Sequence, residues 1–350
     1  MPLPPRRPRG TLVRPPSRFA AVHVERDPGE EADGRAATRW YRDASRTILA
    51  RNDSPDVPFT WSLNPYRGCE HGCTYCYARP SHEYLGFDAG LDFEQRIVVK
   101  EDAPALLRQT LASPRWRPQP IALSGNTDCY QPLERRLCLT RACLAILAEC
   151  RNPVSIITKS ALVVRDLDLL TSLAAVHAVH VCVSITTLDA ELARRMEPRA
   201  AEPRRRLATL ETLASAGIPT GCVVGPVIPG LNDSEIPAIL AAAREAGCRS
   251  ASWVLLRLPR PVDQVFAQWL ADQLPLRRAR VLARIRDTRA GRLNDARFGA
   301  RKRGEGPYAA QIAALFAAAA RRHDLHRPLP PLSTAAFRPP AAPESQLRLL

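Results

Sequence analysis

The eight residues Cys69-Glu70-His71-Gly72-Cys73-Thr74-Tyr75-Cys76 carry three thiols with C-x3-C-x2-C spacing, and the rest of the chain can be interpreted from them. Cysteine thiolates are the usual ligands of iron–sulfur clusters. Three thiolates so close in the chain can enclose one corner of an iron–sulfur cube, but they cannot complete a four-ligand site. The spacing therefore predicts a [4Fe–4S] cluster bound by Cys69, Cys73 and Cys76, with one iron left open for a substrate or cofactor.

Zinc, a disulfide framework and chance are alternative explanations of the three thiols. A structural zinc site could recruit His71 or a distant ligand, but such sites usually have two paired arms of ligands, and no second arm is visible in the sequence. Disulfide frameworks are typical of small secreted chains, whereas this chain has 350 residues.

Downstream of the thiols, apolar runs typical of strands alternate with helical segments. Strands are predicted at residues 61–66, 121–124, 154–158, 179–185, 222–228 and 252–256. Helices are predicted at residues 137–148, 163–174, 189–195, 204–216, 233–246, 262–274, 276–289 and 309–322. Six strand–helix units predict an α/β fold whose buried parallel sheet closes fully or partly into a barrel.

The two ends of the chain differ in composition from its middle. We predict a disordered Pro- and Arg-rich arm at 1–50, the barrel at 51–290, a basic loop and helix at 291–325, and a Pro-rich disordered tail at 326–350. The first 18 residues lack the apolar segment of a secretory signal, and no run of 18 apolar residues occurs, so no membrane span is predicted. Ten cysteines in such a chain predict a reducing, cytoplasmic location.

The net charge of +15 is compatible with a polyanionic partner such as nucleic acid. The positive residues are almost all Arg, with Lys only at positions 100, 159 and 302. Such a skew, with abundant Ala and Pro, often reflects genome composition, so charge alone does not establish the partner. The basic segment Arg301, Lys302 and Arg303 is the part of the chain that we expect to contact a nucleic acid.

The thiol segment resembles that of the radical SAM enzymes, whose motif has the same spacing and an aromatic residue at the position of Tyr75. The resemblance implies a partial (β/α)6 barrel, which agrees with the strand–helix count. It also implies that S-adenosylmethionine (SAM) fills the open iron position. An electron from the cluster then breaks the sulfonium C–S bond to give methionine and a 5′-deoxyadenosyl radical. An electron donor such as flavodoxin or ferredoxin is expected as a partner.

The resemblance also implies roles for polar residues that follow the predicted strands, since the loops after the strands of a parallel barrel converge on one face. Ser124, Asn126 and Thr127 lie where the family's Gly-Gly-Glu-like segment binds the methionyl amine, although the acidic residue is absent here. Ser184 lies where the family places a polar group near the ribose or carboxylate of SAM. Lys159 is expected to pair with that carboxylate.

Two further segments complete the expected cofactor site. Residues 226–233 resemble the P-x-I-P-G-x-N-D segment of many radical SAM proteins, whose backbone reaches the adenine, and Ile228 is the residue expected there. Tyr75, inside the thiol segment, is expected to contact the cofactor as well. Glu197 and Arg199 offer an additional charged pair.

Residues 62–79, 127–134, 158–170, 184–199 and 291–308 are similar to a bacterial radical SAM subgroup related to spore photolyase, and the resemblance covers about residues 50–320. That enzyme uses a cysteine as hydrogen donor. Cys129 is the nearest candidate here, with a packed core thiol as the alternative. The resemblance implies hydrogen abstraction from a substrate, with nucleic acid favoured and a small molecule or peptide as the alternative. A non-catalytic nucleic-acid-binding protein with a zinc ion or structural cluster is the alternative from another class.

Overall fold

Ten strands of two to eight residues lie in the part of this protein that its computed structural model describes, residues 9–19 and 37–340. The strands are β1 (Arg39–Arg42), β2 (Leu49–Arg51), β3 (Trp61–Leu63), β4 (Tyr66–Arg67), β5 (Arg96–Val99), β6 (Ile121–Leu123), β7 (Val154–Thr158), β8 (Val179–Ser184), β9 (Thr220–Val227) and β10 (Ser250–Leu255). The β-branched residues of β7, β8 and β9 suit a buried parallel sheet.

Seven of these strands form one sheet in the order β10-β9-β8-β7-β6-β3-β2. Six of them are parallel to one another, namely β3, β6, β7, β8, β9 and β10. Strand β2 pairs antiparallel with β3 and forms one edge. Because β10 and β2 remain the two edges, the barrel is open on one side. This arrangement confirms the predicted partial (β/α)6 barrel.

The described residues contain twelve α-helices. They are α1 (Leu91–Gln95), α2 (Ala103–Ala112), α3 (Glu134–Leu137), α4 (Leu139–Cys150), α5 (Leu167–Ala174), α6 (Ala190–Met196), α7 (Pro203–Ser215), α8 (Ile236–Glu245), α9 (Val262–Gln273), α10 (Pro275–Asp287), α11 (Ala300–Arg303) and α12 (Pro307–Arg322). Buried side chains of alternate strand residues, such as Val179, Val181 and Val183, form one large apolar core with helices α4, α5, α7, α8 and α12.

Parts of the arm predicted to be disordered are folded onto the barrel. Strand β1 pairs in parallel with β5, which also pairs with β4, so that a three-stranded sheet forms beside the thiol segment. Residues 9–19 run along α1, where the Leu91 amide donates to the Val13 carbonyl at 3.2 Å. Composition does not predict that these segments are folded, because their order comes from pairing with partners far along the chain. Residues 1–8 and 20–36 of the predicted arm lie outside the described residues.

The segment after α12 crosses the end of the barrel where the strands begin. The Ala251 amide donates to the Leu325 carbonyl, the Ser333 amide to the His177 carbonyl and the Arg338 amide to the Cys150 carbonyl, at 2.8, 2.9 and 2.9 Å. We predicted a disordered tail from residue 326, but backbone hydrogen bonds fix its path as far as residue 340, because the carbonyls of Cys150 and His177, which precede β7 and β8, accept from its amides. Residues 341–350 lie outside the described part.

None of the helices described is long and apolar enough to cross a membrane.

Candidate functional site

The three thiols lie in the loop that follows β4, at the end of the barrel where the parallel strands finish. Cys69 and Cys73 are buried, Cys76 is half-buried, and all three are free of disulfides. Cys73 belongs to one apolar cluster and Cys69 to another, and Cys76 packs against both, so it lies between the other two. Burial raises the pKa of Cys69, and the neighbouring Cys73 and Cys76 thiols raise it further.

This donor set fits an iron–sulfur cluster. Thiols with raised pKa values stay protonated until a metal displaces the proton, and the loop concentrates three of them. Within residues 9–19 and 37–340, no three His, Cys, Asp or Glu side chains converge closely enough to hold a single ion. Each thiolate of a [4Fe–4S] cube binds its own iron, so the three ligands of such a cluster need not converge on one ion.

One arginine fixes the centre of the thiol loop. The Arg79 guanidinium donates to the Cys73 carbonyl oxygen at 3.0 Å through Nε and 2.8 Å through Nη2. It also pairs with Glu94 at 2.5 Å, and both side chains are 0% exposed. The second Glu94 oxygen accepts from the Gly10 amide at 2.8 Å. Loop, α1 and the N-terminal segment are thus held by one buried charge pair.

The loop is also attached to the segment after α6. The Thr74 amide donates to the Met196 carbonyl at 3.1 Å, and the Arg199 amide donates to the His71 carbonyl at 3.2 Å. The His71 ring lies with Nδ1 3.4 Å from an Asp128 carboxylate oxygen, and burial lowers the pKa of His71 to about 4. His71, the residue a zinc site would recruit, therefore packs against Asp128 as a neutral side chain at pH 7.

Tyr75 points into a buried polar network. Its hydroxyl donates to the Glu197 carboxylate, which also accepts from the Thr186 hydroxyl at 2.6 Å and from the Arg206 guanidinium. Burial raises the pKa of Glu197, and the charge of Arg206 opposes that shift. Three donors on one buried carboxylate fix the orientation of the Tyr75 ring.

The predicted charged pair of Glu197 and Arg199 is wrong. Glu197 pairs with Arg206 on α7, and Arg199 instead lies 3.1 Å from a Glu70 carboxylate oxygen. The chain turns between α6 and α7, so the two neighbours in sequence face different partners.

Lys159 and Ile228 both lie against the thiol loop. Lys159 follows β7, and its Nζ lies 5.8 Å from the centre of the Tyr75 ring. Burial lowers the pKa of Lys159, while the Cys73 thiol raises it. Ile228 packs in the apolar cluster of Cys73 and Tyr75, and its amide donates to the Asn232 side chain at 2.6 Å. The structure therefore brings both predicted residues to the thiols.

The other predicted cofactor residues differ in whether their polar side-chain atoms are already hydrogen-bonded within the protein. The Thr127 hydroxyl donates to the Tyr66 carbonyl at 2.7 Å, and the Ser124 hydroxyl accepts from the Cys129 amide at 2.9 Å, so both are engaged. Asn126 is exposed and keeps its amide oxygen free of the hydrogen bonds found in this loop. Ser184 is buried, and its carbonyl accepts from Arg206 at 3.0 Å.

Cys129 does not join the thiol loop. It is buried in the large core between the sheet and the helices, which is a different cluster from that of Cys73. Tyr77, which sequence reasoning passed over, follows Cys76 directly and is 46% exposed. Its hydroxyl donates to the Gly125 carbonyl at 3.1 Å. In the sequence, its position directly after the last thiol of the motif was the one feature that could have indicated a role at this site.

Comparisons with known proteins agree with this geometry. The family model described as the radical SAM superfamily matches residues 63–243, which is more than half of the chain. An uncharacterized protein of Mycobacterium tuberculosis is 39% identical over 221 residues, covering 63% of this chain and 65% of that protein. An uncharacterized protein of Methanocaldococcus jannaschii is 32% identical over 173 residues, covering 49% and 62%. The chain thus matches less than two thirds of the length of these relatives.

Solved structures align with this chain at low sequence identity. A mutant of spore photoproduct lyase aligns with a TM-score of 0.49 and 18% identity, covering 66% of each chain. SuiB of Streptococcus suis bound to S-adenosylmethionine aligns with a TM-score of 0.42 and 13% identity, covering 61% of this chain and 48% of that one.

Proposed function

Because this chain belongs to the radical SAM superfamily, we propose that Cys69, Cys73 and Cys76 bind its [4Fe–4S] cluster and that SAM binds at the iron they leave open. When bound, the two cofactors supply one-electron cleavage of the sulfonium C–S bond, which yields methionine and a 5′-deoxyadenosyl radical. The observation that carries the assignment is the position of three free thiols, two buried and one half-buried, in one loop at the mouth of the barrel, where the parallel strands finish.

The residues around the thiols have the chemistry that SAM requires. Lys159 holds a cation beside Tyr75 and is the partner of the methionyl carboxylate. Asn126 keeps a side-chain oxygen for the methionyl amine in place of the family's acidic residue. Ser184 contributes a small polar group on the ribose side. The turn at Ile228, fixed by Asn232, presents its backbone to the adenine.

The protein's own role in this account is to hold and shield the cofactors. Glu197 and Arg206 fix Tyr75, so that its ring forms one wall of the site and excludes water. Arg79 fixes the Cys73 carbonyl and hence the direction of the motif loop. A one-electron donor, such as flavodoxin or ferredoxin, is needed to reduce the cluster.

Cluster binding is tested by iron and sulfide content and by the electron paramagnetic resonance signal of the reduced protein after anaerobic reconstitution. We expect about four irons in the wild type, and loss of the signal in Cys69→Ala, Cys73→Ala and Cys76→Ala. Cys138→Ala is the matched control, because Cys138 is an exposed thiol outside the loop. One zinc and no iron–sulfur signal in the wild type would overturn the assignment.

For the substrate we propose a nucleic acid. The net charge of +15 supports this, and so does α10, where Arg277, Arg278 and Arg280 are exposed and have no ion-pair partner within the described residues. The basic segment at 301–303, which the sequence predicts to contact nucleic acid, already makes contacts within the protein. Arg301 pairs with Asp56, and Lys302 donates to the Asp56 carbonyl at 2.5 Å.

Binding of oligonucleotides at several salt concentrations tests this substrate class. A nucleic-acid substrate predicts affinity that falls steeply with added salt. Absence of binding at low salt, with SAM cleavage intact, would leave a small molecule or peptide as the substrate class.

A further inference from the structure

Arg257 is half-buried, and it differs from the three buried arginines of the described residues. Arg79 pairs with Glu94, and Arg206 pairs with Glu197. Arg289 donates to the carbonyls of Ala300, Leu256 and Arg301. Within residues 9–19 and 37–340, Arg257 has no carboxylate partner, and its buried Nε has no hydrogen-bond acceptor. The Nε atoms of Arg14 and Arg289 also lack acceptors, but Arg14 pairs with Asp88 and Asp92 and Arg289 donates to three carbonyls. Among these three arginines, Arg257 is therefore the one whose charge no described group neutralises.

Arg257 lies at the candidate functional site. It is the second residue after β10 and lies between Leu256 and Leu258, which both pack in the apolar cluster of Cys73 and Tyr75. Its guanidinium carbon lies 5.4 Å from the centre of the Tyr77 ring, and Tyr77 follows the last thiol of the motif. Arg257 therefore stands at the mouth of the barrel, beside the thiol loop.

The surroundings favour an anionic group that carries a planar ring. Burial lowers the pKa of Arg257 and the charge of Arg301 lowers it further, while Tyr77 and Asp56 oppose that shift. Tyr77 remains 46% exposed although Arg257 lies over its ring. A cation beside an exposed aromatic ring is the combination that proteins use for single-stranded nucleic acids, with phosphate on the arginine and a base on the ring.

We propose that Arg257 binds a backbone phosphate of a single-stranded nucleic-acid substrate and holds it against Tyr77 at the mouth of the barrel. This proposal rests on the nucleic-acid substrate proposed above and names the residue that positions it. The planar guanidinium donates to two phosphate oxygens through its terminal nitrogens. Arg257 does not contact the SAM carboxylate in this account, because Lys159 fills that role.

Fluorescence anisotropy of reconstituted full-length protein tests the proposal with two labelled oligothymidylate decamers, one with a phosphodiester and one with an uncharged methylphosphonate backbone. The wild type should bind the phosphodiester decamer more tightly. Arg257→Gln should weaken that binding by about 10-fold or more, since a charge-assisted hydrogen bond is lost, and should leave binding of the neutral decamer unchanged. Arg257→Lys, which keeps the charge without the fork, should show an intermediate loss and guards against a folding defect in Arg257→Gln.

Arg321→Gln is the matched control, because it removes the same charge near Leu325, at the opposite end of the barrel. An equal loss in Arg257→Gln and Arg321→Gln would overturn the proposal, as would equal wild-type affinity for the two decamers or no binding of either. SAM affinity and SAM cleavage without oligonucleotide are measured in parallel and should not change in Arg257→Gln. Weakened SAM binding in that variant would assign Arg257 to the cofactor and overturn the proposal. Absence of SAM cleavage in the wild type would instead contradict the proposed function.

Discussion

Arg79 donates two hydrogen bonds to the carbonyl oxygen of Cys73, at 3.0 and 2.8 Å, so that a guanidinium buried in the protein holds the backbone of the middle motif thiol. The same guanidinium is neutralised by Glu94. Breaking a buried pair leaves one charge without compensation, which is far more costly than breaking an exposed pair. The thiol loop is therefore sensitive to a residue that is not itself a ligand.

Glu94→Gln is expected to lower the free energy of unfolding by about 3–5 kcal/mol, because Arg79 then stays buried without a counter-charge. Urea denaturation monitored by circular dichroism measures the change. The control is Glu149→Gln at the half-exposed pair with Arg108, where a loss below about 1 kcal/mol is expected. Equal losses in the two variants would show that the Arg79 pair does not hold the loop.

Arg206→Met is expected to destabilise the protein by about 3–5 kcal/mol, because the buried Glu197 carboxylate loses its cation. Tyr75→Phe removes only one of the donors to Glu197 and should cost about 1 kcal/mol. Thermal unfolding of both variants checks the order. A Tyr75→Phe protein as unstable as Arg206→Met would contradict the network as described.

His82 is expected to make stability depend on pH. It is fully buried, and burial lowers the pKa of His82 to about 4, below the usual value of 6.5. The unfolded chain then binds a proton that the folded protein does not, so folding stability falls as the pH drops from 6.5 to 4. The contribution amounts to about 1.4 kcal/mol per pH unit.

His82→Gln keeps a donor for the Arg96 carbonyl, which His82 contacts at 2.8 Å, but cannot titrate. The difference in unfolding free energy between wild type and His82→Gln should therefore shrink steadily from pH 6.5 to pH 4. Because only the difference is used, titrating groups that do not interact with His82 cancel. A constant difference would contradict a neutral buried His82.

The segment from residue 326 to 340 is expected to stabilise the barrel. Phe337 packs against the main core, and the side chain of Arg338 donates to the Glu149 carbonyl at 2.8 Å. A chain that ends at residue 326 should lose about 1–3 kcal/mol of stability, from buried apolar area and hydrogen bonds. A chain that ends at residue 340 is the control against which this loss is measured. Identical unfolding of the two truncated chains would show that the segment contributes nothing.

Much of the fold could be predicted because its signals are local. The strand predicted at 154–158 has the same bounds as β7, and each helix predicted after residue 137 has a counterpart within a few residues. The sheet of β1, β4 and β5 was missed, because pairing between distant short segments leaves no periodicity to detect. The same limit applies to the site. Spacing identified the three thiols, but the partners Arg79–Glu94 and Glu197–Arg206 depend on how elements pack.

The most direct measurement for the central claim is SAM cleavage by the anaerobically reconstituted, dithionite-reduced protein. The account predicts that the wild type and Cys138→Ala convert SAM to methionine and 5′-deoxyadenosine, whereas Cys76→Ala does not. Cleavage that survives in Cys76→Ala, or its absence from a wild type with a complete cluster, would contradict the assignment of the three thiols.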